Sequence, residues 1–239
     1  MEGHTVKSYD VELQELDRRI AQMGGLVEKI LAEASEALQR RDPRLGAIAI
    51  AQDAGIDRLE RQLQERAVNM LARRQPMADD LRHVMIVLKI AGDLERIGDL
   101  AKNIAKRANA ISEESHPKPL MIGFRHMTEL AMRQLKDVLD AFSVRDAELA
   151  LAIWRSDAKL DTLFNSVFRE LLTYMMEDPR QIGLCTHLLF GAKNIERIGD
   201  HTTNIAENVY YLVTGQVLGG DRPKRDDTSG VWALPPASD

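Results

Sequence analysis

The amino-acid sequence predicts an all-α protein built as two tandem three-helix bundles related by an internal repeat. Three observations carry that prediction. Aromatic residues make up only 5% of the 239 residues, against 44% apolar and 29% charged, which suits helices packed on helices better than a sandwich or barrel. Apolar residues recur at helical spacing along segments free of proline. And one motif, with its flanking residues, occurs twice.

The elements follow in order. Leu13, Leu16, Ile20, Met23, Val27, Ile30, Ala34 and Ala37 are spaced alternately by three and four, so they form one stripe resembling a coiled-coil seam. Asp42-Pro43 reads as an N-cap followed by proline at the first helical position, which opens a second helix. Arg74-Gln75-Pro76-Met77 is a turn into a third, whose stripe is Ile90, Leu94, Ile97, Ala101, Ile104, Ala108 and Ile111. Pro117 and Pro119 mark a polar linker around Ser112 to Lys118. Asp178-Pro179 repeats the start signal for the last helix. The six helices are predicted at 8–40, 44–74, 79–112, 120–143, 146–177 and 179–214, giving bundles at 8–112 and 120–215. The tail at 216–239 is rich in Gly, Pro, Asp and Ser and reads as disordered.

Composition excludes several function classes. Net charge is -5 with a sequence pI near 5.7, which argues against nucleic acid as the main partner. Apolar runs such as Val84 to Leu88 fall far short of the ~20 residues a membrane-spanning helix needs, so no transmembrane segment is expected. The N-terminal residues show no secretory signal. A single cysteine, Cys185, forms no internal disulfide, fits a reducing compartment, and reads as a buried structural thiol among leucines. No Walker-type phosphate loop, no G-x-S-x-G elbow and no Glu-x-x-His pair is present. A binding or regulatory module is therefore expected rather than an enzyme.

The repeat is the strongest signal. Glu95-Arg96-Ile97-Gly98-Asp99 recurs as Glu196-Arg197-Ile198-Gly199-Asp200, and Asn103-Ile104-Ala105 recurs as Asn204-Ile205-Ala206, with eight of eleven aligned positions identical at an offset of 101. Upstream, Asp53, Asp57 and Arg41-Asp42 match Asp157, Asp161 and Arg145-Asp146 at an offset of 104. The loop between the second and third helix of each half absorbs the difference.

Glu95, Asp99 and Asn103 lie at i, i+4 and i+8, a line of oxygen donors on one helix face, opposite the apolar stripe. Glu196, Asp200 and Asn204 repeat it, and Asp53/Asp57 and Asp157/Asp161 add acidic pairs from the second helix of each half. Like charges at this spacing cost a helix roughly 0.2–0.5 kcal/mol per pair. Their duplication in step points to a bound cation, held by carboxylate and amide oxygens that suit hard ions such as iron(III), Mn, Mg or Ca. His201 is a further possible ligand, in one half only. The competing reading pairs these acids with Arg96, Arg197, Lys102 or Lys106. Gly98 and Gly199 in helix interiors mark either room for a ligand or a tight helix crossing.

On these residues, and on the stretch from Asn194 to Gly215 with Glu207, Asn208 and Tyr210, the sequence resembles the PhoU family over residues 8–215. The resemblance implies a cytoplasmic, all-α, often dimeric protein. It implies a multinuclear metal cluster in each half, of iron or of Mn, Mg, Ca or Zn. By position the ligands would be Asp53, Asp57, Glu95, Asp99 and Asn103, then Asp157, Asp161, Glu196, Asp200 and Asn204. It further implies a negative regulator of the phosphate-starvation response, linking the phosphate ABC transporter, through its ATPase subunit, to a sensor histidine kinase. Two other readings stay open: a carboxylate-cluster metalloenzyme, and a helical scaffold that needs no metal.

Overall fold

The computed structural model describes residues 2–74, 77–114 and 118–219. They form seven α-helices and one short 3-10 turn, and no strand occurs among the described residues. The helices are α1 (Glu2–Arg40), α2 (Pro43–Arg74), α3 (Ala78–Ala110), α4 (Lys118–Val144), α5 (Ala147–Arg155), α6 (Ala158–Glu177) and α7 (Ile182–Thr214). The expected tail from 220 onward and the Pro76 turn residue lie outside the described residues.

Burial of apolar stripes drives the assembly. Every residue of the two stripes, from Leu13 to Ala37 on α1 and from Ile90 to Ile111 on and just after α3, is buried. α1, α2 and α3 pack on one another, and α7 packs on α4, α5 and α6. The two groups join where α3 meets α7 and where α1 meets α4, so one continuous core runs through both. The third helix of each half is therefore covered on several sides. That is why α3 and α7 bury more than a single stripe.

The repeat reaches into the connections. Arg41 (φ 55°) and Arg145 (φ 58°) both adopt the left-handed conformation after α1 and α4. In each case the next amide closes the helix by a long-range bond, Asp42 N–H to Ala37 O and Asp146 N–H to Ala141 O, both 3.0 Å. The next helix is then capped at once. Asp42 Oδ1 accepts from the Arg44 amide, and Asp146 Oδ1 from the Leu149 amide, at 2.9 Å each.

Three sequence expectations need correction. α1 starts at Glu2, not at residue 8. The single helix expected over 146–177 is two helices, α5 and α6, parted at Ser156 and Asp157. The Ser156 hydroxyl and amide both donate to Ile153 O, at 2.8 and 2.9 Å, and the Asp157 amide bonds Trp154 O at 3.4 Å, so the ladder tightens locally to i→i−3. The matching stretch of α2 carries Gln52 instead of serine and runs unbroken. Finally, Pro179 opens a 3-10 turn, Pro179–Gln181, and the α-helix proper begins at Ile182. The cap expected at Asp178 is present, accepting from the Arg180 amide at 3.1 Å.

Candidate functional site

The duplicated acids stand where the second and third helices of each half cross, α2 on α3 and α6 on α7. The glycines fix how close that crossing is. A side chain at Gly98 would overlap Ile56 Cδ1, and one at Gly199 would overlap Leu160 Cδ2. Ile56 and Leu160 occupy matching positions of the repeat. Of the two readings of these glycines, the tight helix crossing is the one the packing displays.

Close crossing carries the acids out of the solvent. Asp53, Asp157, Asp161 and Glu196 are buried, while Asp57, Glu95 and Asp99 are half-buried. The donor line lies opposite the α3 stripe and is half-buried, with Asp99 tied to the neighbouring helix through Lys102. Burial pushes the Glu95 carboxyl up, and Asp99 adds to the shift; Arg96 opposes it, while Glu60 and Asp57 contribute in the same direction. Burial likewise pushes Glu196 up; Lys193 opposes, and Asp200 and Asp161 reinforce.

In the first half the cation is part of the chain. Lys102 Nζ lies 2.5 Å from Asp53 Oδ2 and 2.5 Å from Asp99 Oδ1, tying α2 to α3. These hydrogen bonds raise the lysine above its ordinary value against the opposing effect of burial. In the second half the matching residue is Thr203, whose hydroxyl donates to Asp157 Oδ1 at 2.8 Å. A different lysine serves there. Lys193 Nζ donates to Glu196 Oε1 at 2.9 Å and sits 5.0 Å from the Phe164 ring centre. Its counterpart in the first half is Gly92.

The remaining expected ligands fall in two places. Asn103 is half-buried on α3. Asn204 Nδ2 reaches Asp93 Oδ1 at 3.4 Å, and His201 Nδ1 lies 2.9 Å from the same oxygen, so both engage α3 across the seam between the halves. Asp93 was not singled out from the sequence; its counterpart is Asn194, so the repeat gave no signal for it. Trp154 and Glu207 were also missed as a pair, joined by an indole N–H bond of 2.9 Å. Cys185 is buried, and burial pushes its thiol up, consistent with a structural role.

Whether a cation fits differs between the halves. As the side chains stand, no group of three or more His, Cys, Asp or Glu among the described residues could hold a metal ion. In the first half Lys102 already fills the space between two carboxylates. In the second, Glu196 Oε2 is buried and has no hydrogen-bond partner, which leaves a buried acceptor for an incoming cation. The first half thus holds an ammonium between its carboxylates, and the second keeps one buried carboxylate oxygen without a donor.

Known proteins resemble this chain over nearly its whole length. A family model described as the PhoU domain matches residues 20–108 and 124–209, one match per half. A phosphate-specific transport system accessory protein PhoU homolog of Rhizobium meliloti (strain 1021) is 52% identical over 232 residues, covering 97% of this chain and 98% of that one. The homolog of the same description from Caulobacter vibrioides (strain NA1000 / CB15N) is 47% identical over 226 residues, covering 95% and 98%. Among solved structures, PhoU from Pseudomonas aeruginosa superposes with a TM-score of 0.84 at 40% identity, covering 87% of this chain and 100% of that one. The phosphate transport system regulatory protein PhoU from Streptococcus pneumoniae gives 0.80 at 28% identity, covering 88% and 99%. With the doubled helical unit, the matched acids and a family match in each half, the chain belongs to the PhoU family.

Proposed function

We propose that the chain is a cytoplasmic adaptor of the phosphate-specific transport system and a negative regulator of the phosphate-starvation response. In this reading it links the ATPase subunit of the phosphate ABC transporter to a membrane-bound sensor histidine kinase, by contact rather than catalysis, and works as a homodimer. High phosphate then keeps the kinase from activating its response regulator. The observation that carries the reading is the near full-length likeness to relatives described as accessory proteins of phosphate-specific transport. Two features of the molecule support it. Helices of 33 to 39 residues present long faces to partners. None of the described helices is long and apolar enough to cross a membrane, so the contact with a transporter would be peripheral.

The transporter's state would bias the kinase only if the chain binds two arrangements with different affinity. The acids at the helix crossings would hold the metal, an iron cluster or one of Mn, Mg, Ca or Zn, and so brace the faces that partners read. The test is deletion of the gene with a reporter of the starvation response. Repression at high phosphate should be lost, and restored by the wild-type chain. Equal reporter output with and without the protein, at high and low phosphate, would refute the adaptor. The metal-independent scaffold remains the second reading, favoured in the first half by the Lys102 bridge.

A further inference from the structure

We propose that residues 231–236 of this chain dock in cis into an aromatic groove at the end of α7 and cover the face formed there by α3, α5 and α7. None of the acids at the helix crossings lines this groove.

The groove has a volume of about 540 Å³, within the ~300–1,000 Å³ typical of binding clefts. Trp154 of α5 and Tyr211 of α7 give it two aromatic walls, Lys89 of α3 a cationic edge, and Val217 and Leu218 an aliphatic side. The Trp154 indole N–H donates to Glu207 Oε1 at 2.9 Å, so the ring is held in place before anything binds. Arg82 stands 5.6 Å from the Tyr211 ring centre and braces that ring. The repeat does not call for these residues: the first-half positions matching Trp154, Glu207 and Tyr211 are Ile50, Lys106 and Ala110. The surface alongside is apolar too. Met77, Leu81 and Met85, at intervals of four where α3 begins, are exposed, as is Val217. Arg82 meets Tyr211 while Arg107 meets Phe190, so α3 and α7 run antiparallel and this line borders the end of α7. Exposed apolar side chains gathered in this way mark an interaction surface.

The chain supplies its own occupant. Gly215 ends α7 in the left-handed conformation (φ 70°), its amide donating to Tyr211 O at 2.9 Å. The chain then turns so that Val217 and Leu218 line the groove beside Tyr211. Residues 220–239 lie outside the described residues and continue from that edge. Their sequence divides in two. Residues 220–230 are drawn from Gly, Pro, Ser, Thr and charged types, the composition of a spacer. Val231-Trp232-Ala233-Leu234-Pro235-Pro236 is an apolar run ending in two prolines. Consecutive prolines favour the extended polyproline form, which aromatic-lined grooves take up at low entropic cost. A spacer of this length reaches about 20 Å as a coil, and tethering raises the local concentration of the run to roughly millimolar. Asp239, three residues after Pro236, supplies a charge complementary to Lys89. A partner that approaches this face has to displace the segment.

Trp154 and Trp232 are the two tryptophans of the chain, so fluorescence of the full-length Trp154→Phe variant reports Trp232 alone. Its emission should be shifted to the blue and shielded from acrylamide at every protein concentration, and Val217→Asp in that background should remove the shielding. Val217 is 80% exposed, so the aspartate leaves the core untouched. In a second measurement, a labelled peptide of residues 229–239 is added to the full-length chain carrying Trp232→Ser and Pro235→Ser, which vacates the groove. The peptide should bind this variant, bind wild type about tenfold or more weakly, and lose a similar factor when Val217→Asp is added to the variant. The peptide assay keeps Trp154, so it decides the matter if Trp154→Phe does not fold. Trp232 as open to acrylamide as in the free peptide would overturn docking. So would shielding that grows with protein concentration, which would place the segment on a second copy. Peptide bound equally by wild type and the vacated variant, or by neither, would overturn it as well.

Discussion

Glu196 shows how a single buried carboxyl ties stability to pH. Burial, Asp200 and Asp161 hold it above its ordinary value against Lys193. The native chain therefore binds this proton more readily than the unfolded chain does. Between the unfolded carboxyl value and the raised native one, stability falls as pH rises, and the penalty is complete above that window. Metal-free Glu196→Gln should flatten this fall and be more stable than wild type at neutral pH, with the two converging in acid. Urea denaturation across a pH series checks it. Lys102 has the opposite sign: its native value is raised, so its contribution persists through neutral pH and is lost only in strong alkali. Gly98 is a second residue-scale case. Alanine there gains about 1 kcal/mol of helix propensity but must displace Ile56 Cδ1 in a packed core, a strain of about 1–3 kcal/mol. Removing that methyl with Ile56→Val should make Gly98→Ala markedly less destabilising, a coupling that a double-mutant cycle of denaturation midpoints would reveal.

The helices owe their ends to short-range chemistry that repeats with the fold. Asp42 and Asp146 cap α2 and α5 after left-handed arginines. Replacing either aspartate with alanine should cost about 1 kcal/mol, read from chemical denaturation. The parting of α5 from α6 is likewise local. Ser156 draws the Ile153 carbonyl to its own amide and hydroxyl, and Gln134 Nε2 holds that hydroxyl at 3.0 Å. The break sets Asp157 at the head of α6, in reach of Thr203. The same place in the first half keeps a continuous helix and meets Lys102 instead. So two stretches with the same acids end in different local geometry because one flanking side chain is serine.

At the scale of the whole molecule, the halves are not independent beads. α3 and α7 pack together, α1 meets α4, and polar groups lock the seam. Arg145 Nη2 lies 2.6 Å from Asp17 Oδ2 and 2.9 Å from His83 Nε2, while His201 engages Asp93. The apolar faces that α3 and α7 turn to each other would be exposed in either half alone. A chain limited to residues 2–114 should therefore bind a hydrophobic dye strongly, where the full chain does not; dye fluorescence decides it. Arg145→Ala should cost no more than about 1 kcal/mol, because the pair is one-third exposed. The seam is held by its core, with the polar network setting its alignment.

Much of this was legible in the residues themselves. Stripes at spacing three and four, aspartate-proline starts and a doubled motif determined an all-α chain of two related units, because helix periodicity and capping act over a few residues. The acids were legible too, since identical spacing survives duplication. What they meet was not. That Asp53 and Asp99 share one amine from Lys102, that Glu196 is buried with an oxygen left over, and that Asn204 and His201 turn to Asp93 depend on residues far apart in the chain. Burial and partner are set by how helices cross, and the crossing distance depends on Gly98 against Ile56 and Gly199 against Leu160. Tertiary packing alone decided which partner each acid meets, Lys102 for Asp53 and Asp99 and Lys193 for Glu196.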